Sequence, residues 1–141
     1  MDWYTSTGLH SYIGTPAATK CLQADTWYLA AGTFIRDNKG GFITTSPITY
    51  TGQTQCFGIS LTGSIKTNRT NTIVTLGFFL NDTIVVPSES IIALDKTSDI
   101  NSFTLLFPTC MVANDTITVK LQANKISEIT VQSLSAIIHN I

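Results

Sequence analysis

Two histidines, His10 and His139, are the only side chains of the chain whose ordinary pKa suits proton transfer near neutral pH. His10 falls in a stretch without periodicity and His139 lies close to the C-terminus. Neither stands in a motif that supplies a catalytic partner, so both read as partly exposed side chains without a role. A glycosidase needs two carboxyl groups about 5 to 9 Å apart across a cleft. Asp82 and Asp115 sit in turn sequences, however, and Asp95 and Asp99 bracket a polar loop with Lys96. Asp95, Ser98, Asp99 and Asn101 offer oxygen ligands for a hard cation, but their spacing matches no calcium loop. There is no Gly-x-Ser-x-Gly elbow, no glycine-rich phosphate loop ending in Lys and no His-Glu-x-x-His helix. Gly40-Gly41 lies between two strand-forming runs with no helix after it, which makes a hairpin turn of it. The expectation is a protein that is not an enzyme and that uses no metal and no cofactor.

Cys21, Cys56 and Cys110 are too few and too scattered for a zinc site or a disulfide framework. They are expected to be reduced thiols packed as small hydrophobes. Asn68-Arg69-Thr70, Asn81-Asp82-Thr83 and Asn114-Asp115-Thr116 fit the N-glycosylation pattern, yet turn chemistry explains at least two of them better. Sugar sites pair an exposed aromatic face with amide or carboxylate side chains, and Trp3, Tyr4, Tyr12, Trp27, Tyr28 and Tyr50 supply rings. Trp27 and Tyr28 begin a strand and are assigned to core or interface packing. Trp3 and Tyr4 remain the candidate ligand contacts.

Few charges surround these residues. Hydrophobic residues make up 43% of the 141-residue chain and charged ones only 12%, so Thr, Ser, Asn and Gln must hydrate the surface. A formal net charge of −1 offers no attraction for phosphate backbones or anionic lipid, which argues against nucleic acid as a partner. The apolar run from Val74 to Leu80 is interrupted by Thr75 and Gly77 and ends at Asn81-Asp82, too short for membrane insertion. Met1-Asp2-Trp3-Tyr4 lacks the basic start and apolar run of a secretory signal, so the product is expected to stay in the cytoplasm where it is made.

The elements that must position these side chains are strands. Phe57, Ile59, Leu61 and Ile65 alternate with Gly58, Ser60, Thr62 and Ser64, the period of a half-buried strand. Ile117, Val119 and Leu121 alternate with Thr116, Thr118 and Lys120, and Ile129 and Val131 with Thr130 and Gln132. After Val131 the phase slips, so that Leu134, Ala136 and Ile138 carry the pattern and Ile137 faces the other way, as a bulge or burial on both faces would produce. Turn residues separate the runs: Asp37 to Gly41, Thr51-Gly52-Gln53, Asn68 to Asn71, Asn81-Asp82, Pro87-Ser88 and Asn114-Asp115. About eight antiparallel strands result, enough for two packed sheets or a closed barrel. Residues 1–25 show no sustained period and are expected to form an irregular N-terminal arm anchored by its aromatic residues. Residues 26–141 are expected to form a β-sandwich domain. Ile73 to Leu80 and Leu134 to Ile138 are apolar on both faces, more than one solvated sandwich needs, and a partner surface would cover the excess.

Four strings, Trp27 to Phe34, Ile48-Thr49-Tyr50-Thr51-Gly52, Phe79 to Ser88 and Asn114 to Val119, together resemble the jelly-roll head domains of viral and phage fibres. Those heads are similar to tumour-necrosis-factor and C1q modules. The resemblance covers roughly residues 26 to 141, although Asn114 stands where the group more often has glycine and Asn81-Asp82 replaces the commoner Asn-Gly. It implies a homotrimer packed around a threefold axis and a virion-associated structural protein of phage or virophage type. Such a protein would be a fibre head or capsid decoration at the particle surface, contacting other virion proteins and a host-surface receptor or glycan. On the group's strand order, Phe57, Leu105 and Ile137 are placed near the subunit contacts. The alternatives are a carbohydrate-binding, lectin-like module and a signalling ligand of the tumour-necrosis-factor or C1q type.

Overall fold

The computed structural model of the protein describes residues 8–13, 16–30, 34–39, 42–44, 48–85 and 89–140, and the side chains of 16–30, 49–85, 89–135 and 137–138. The described residues form strands β1 (Gly8–Ile13), β2 (Ala17–Cys21), β3 (Tyr28–Leu29), β4 (Phe34–Lys39), β5 (Phe42–Thr44), β6 (Ile48–Tyr50) and β7 (Gln55–Thr67). They continue as β8 (Thr72–Leu80), β9 (Thr83–Ile84), β10 (Ser90–Leu94), β11 (Asn101–Met111), β12 (Thr116–Ala123) and β13 (Ser127–Asn140). One sheet runs β11-β7-β13-β1-β4, with β2 also on β13. The other runs β10-β8-β12-β6-β5, with β3 on β12 and β9 on β8. Every pairing is antiparallel.

The period-two pattern decides which side chains fill the space between the sheets. Phe57, Ile59, Leu61 and Ile65 of β7 and Phe103, Leu105, Phe107 and Met111 of β11 are buried. Facing them are Val74, Leu76 and Phe78 of β8, Ile92 and Leu94 of β10, and Ile117, Val119 and Leu121 of β12. Phe78 and Phe107 meet edge to face across the sandwich with ring centroids 5.0 Å apart, a contact that adds roughly 1 kcal/mol to the area it buries. The phase slip expected after Val131 is a register shift between Val131 and Ser133, where β13 bulges against β7. Beyond it Leu134 and Ile138 point inward, as the slipped pattern requires.

Residues Gly8–Ile13 and Ala17–Cys21 depart from the expected irregular arm. β1 pairs with both β13 and β4, and β2 pairs with β13 from Ser127 to Val131. The inward positions of β2 are Thr19 and Cys21, a small residue pair whose burial leaves no hydropathy alternation to read. The run from Trp27 to Ile35 is likewise not one strand: β3 lies in the second sheet and β4 in the first. Phe42 to Tyr50 contains two strands, β5 and β6, paired with each other.

Asn and Asp carry the turns. Asn81 and Asp82 adopt positive φ values of 51° and 63°, and Leu80 pairs with Thr83, so the two residues form a tight hairpin of the mirror-image type that suits twisted strands. Asn114, at φ 75°, takes the left-handed position for which glycine is commoner. In the Tyr50-Thr51-Gly52 turn the Tyr50 ring folds beneath Gly52, where a Cβ would strike the phenol. The Tyr50 hydroxyl donates to the carbonyl of Gln53 and closes the turn.

Candidate functional site

Turned away from the core, β11, β7 and β13 present a regular lattice of side chains fixed by register. Ser102 stands opposite Ser64, which stands opposite Ser133. The next row is Thr104, Thr62 and Ser135, and the row after it is Leu106, Ser60 and Ile137. The six hydroxyl residues of the first two rows line an open depression of about 390 Å³, where the chain of Gly63, Phe103 and Leu134 also passes and the Phe103 and Leu134 side chains turn away into the core. Gly63 is required there. An added Cβ would collide with the carbonyl of Ser133 in the bulge and with the Phe103 ring, which occupies the space a side chain would take. Ser64 and Ser133 hydroxyls share a hydrogen bond of 2.9 Å across the rim.

No described side chain in these three rows is charged. Lys66 and Glu128 face outward further along β7 and β13, so the charges among the described side chains of these two strands lie toward one end. At the other end Leu106 is 75% exposed on β11, whose second edge pairs with no strand among the described residues. Beyond it Cys56 and Cys110, directly opposite each other on β7 and β11, form a disulfide. This corrects the expectation of three free thiols: cross-strand register brings together two residues that are 54 positions apart in sequence. Cys21 alone among the cysteines is free and buried, and burial pushes its thiol pKa up.

Of the residues assigned to subunit contacts, Phe57 and Leu105 prove to be 0% and 7% exposed within the subunit. Their strands do lie side by side with β13 in one sheet, but the alternation turns these two side chains toward the second sheet. Ile137, one step out of phase with Ile138, is half-buried on the outward face. Leu106, which sequence reasoning passed over, holds the outward position that Leu105 does not. Trp3 and Tyr4 lie outside the described residues, as do the side chains of His10, Tyr12 and His139.

The remaining candidates serve the fold. Asp115 accepts hydrogen bonds from Asn81 Nδ2 at 2.7 Å and from the Val112 amide at 2.8 Å, while Asn81 Oδ1 accepts the Thr116 amide at 2.8 Å. Turn chemistry thus accounts for the Asn81 and Asn114 motifs. Asp82 pairs with Lys120 at 3.5 Å, and the Lys120 ammonium lies 4.8 Å from the centre of the Phe79 ring. Asp99 accepts the Lys96 amide at 3.2 Å. No group of three or more metal-ligating side chains gathers among the described residues. Tyr50 is buried, and burial raises its pKa. The Tyr28 hydroxyl accepts the Gln23 amide at 3.0 Å. Trp27 packs on the outside of the second sheet, edge to face on Phe79 at 5.0 Å and over Gly77. Part of the apolar excess noted in Ile73 to Leu80 is therefore covered within the chain itself.

The two-sheet sandwich superposes on tumour-necrosis-factor domains over nearly its whole length. Eiger TNF from S. frugiperda superposes with a TM-score of 0.64 at 9% identity, covering 95% of this chain and 92% of that one. Murine APRIL gives 0.59 at 11% identity, covering 94% and 98%. This chain has the TNF-like jelly-roll fold. PRD1 vertex protein P5 is similar at a TM-score of 0.45 and 15% identity, covering 94% and 96%. No protein-family model matches the chain and no curated protein matches it in sequence.

Proposed function

We propose that the protein is a structural head domain which self-associates as a homotrimer and is displayed on a virion surface, as a fibre head or capsid decoration that takes part in host attachment. The observation that carries this reading is the outward face of β11, β7 and β13: three rows of hydroxyl and aliphatic side chains without a charged one. A sheet face facing only water is ordinarily studded with Lys and Glu. An uncharged face of this extent suits another protein surface of the same kind. The TNF-like jelly-roll fold supports the same reading, and so does the resemblance of the four sequence strings to viral fibre heads.

The exposed Cys56–Cys110 disulfide adds to it. Disulfides persist outside the reducing cytosol, particle surfaces included, so the protein works in an oxidising setting after synthesis. The role in this reading is binding and architecture, and it is consistent with Asp82, Asp99 and Asp115 being engaged in an ion pair and in turns. Antibodies raised against the purified chain provide the test. In electron micrographs of intact particles they should decorate the outer surface. Labelling confined to host cytoplasm, together with selective capture of one sugar on a glycan array, would replace this reading with the lectin-like one.

A further inference from the structure

The pairing that brings Cys56 and Cys110 together is made by the sheet and not by the bridge. β11 pairs with β7 along its whole length, from Asn101 opposite Ile65 to Met111 opposite Gln55. Phe57, Ile59 and Leu61 on one strand and Phe103, Leu105, Phe107 and Met111 on the other are buried in the core. A slip of one residue would turn a whole strand's set to water, so burial alone fixes the register. The two thiols lie 54 positions apart in sequence and face each other only once this pairing exists. Both cysteines are exposed on the outward face, next to the inward-facing Phe57 and Met111. A dissolved thiol reaches the bridge there without any part of the core opening.

We infer that Cys56 and Cys110 form a redox lock that closes and opens on the folded sandwich. In a reducing cytosol the domain folds as a dithiol, and it is bridged once it meets an oxidising medium. Closure takes a small disulfide such as oxidised glutathione. The thiolate of one cysteine attacks it, its S–S bond breaks, and one glutathione leaves as a thiolate. The other cysteine's thiolate then attacks the protein sulfur of the mixed disulfide and expels the second glutathione. Two protein thiols are oxidised, one glutathione disulfide is reduced, and the two thiol protons pass through solvent to the two glutathiones. Excess thiol drives the same steps backward, and exposed bridges are the ones that exchange readily. The lock acts on an edge. β11 has no second neighbour among the described residues, so the bridge clamps the end of a strand that is held from one side. The domain is thereby harder to unfold in an oxidising medium than in a reducing one.

The test treats the whole chain briefly with dithiothreitol in native buffer, quenches with iodoacetamide and reads the adducts by mass spectrometry. Two alkyl groups are expected, on Cys56 and Cys110, with buried Cys21 unlabelled and the β-sheet circular dichroism unchanged. Once the reductant is removed, oxidised glutathione should restore the bridge without denaturant, with the loss of two hydrogens in mass and no glutathione retained. Cys110→Ser lacks the second thiol and should instead hold one glutathione on Cys56. A bridge that yields to reductant only in denaturant overturns the lock, as does a reduced chain that loses its sheet signal or exposes Cys21 to alkylation. An unaltered chain that retains glutathione as Cys110→Ser does would overturn it as well.

Discussion

Replacing both Cys56 and Cys110 by alanine removes a cross-link that holds β7 to β11 across 54 residues of chain. In the loop-entropy treatment a bridge over that span withholds about 14 cal/mol/K from the unfolded chain, or about 4 kcal/mol at 25 °C. Domains of this size are stable by roughly 5 to 15 kcal/mol, so the bridge is a sizeable share of the whole. Guanidinium unfolding followed by tryptophan fluorescence, at one fixed protein concentration, measures it. With an unfolding slope of about 4 kcal/mol/M the midpoint should fall by about 1 M in the double variant, and reductant should bring the unaltered protein down by the same amount. Alkylation in denaturant should label one cysteine without reductant and three with it. Three labelled cysteines without reductant, or midpoints that coincide in the oxidised, reduced and alanine forms, would refute the pairing.

Three further perturbations probe the frame around the site. Gly63→Val drives a branched side chain into the Phe103 ring and the Ser133 carbonyl, and thermal denaturation should show a loss of about 3 kcal/mol. Asp115→Ala strips the acceptor from Asn81 Nδ2 and the Val112 amide, at a cost of about 2 kcal/mol in the same assay, whereas Asp82→Asn, which tolerates the same left-handed backbone, breaks only an exposed ion pair and should cost under about 1 kcal/mol. Burial raises the Tyr50 pKa above its ordinary value of 10.0, so the folded protein keeps a proton that the unfolded chain loses. The stability this confers is complete below pH 10 and is lost as the pH climbs through the folded value. Tyr50→Phe should give a shallower fall in denaturant midpoint above pH 10, and an unchanged slope would contradict the assignment.

The long strands were legible because their alternation is strict: Phe57 to Ile65 and Ile117 to Leu121 read directly as inward and outward rows, and the slip after Val131 marked the bulge. The jelly-roll fold was legible through the resemblance carried by strings such as Ile48 to Gly52 and Phe79 to Ser88. What stayed hidden depended on pairing between distant residues. β2 buries Thr19 and Cys21, so its inward face carries no hydrophobic signature, and β1 and β2 gain their place only from β13. The disulfide was concealed for the same reason, since only the register of β7 on β11 sets Cys56 against Cys110. Leu105 and Leu106 could not be told apart because two adjacent leucines are equivalent until the sandwich shows which one faces inward. Phe79 looked like surplus apolar surface until Trp27, an element away, was found packed on it.

Light scattering coupled to size exclusion, at micromolar concentration in ordinary buffer, tests the central claim most directly. The proposed self-association through an uncharged face predicts a single species of about three times the 15.3 kDa chain, unchanged between low and high salt because no ion pairs would hold it. A monodisperse monomer, or an assembly that falls apart as salt is raised, would contradict it.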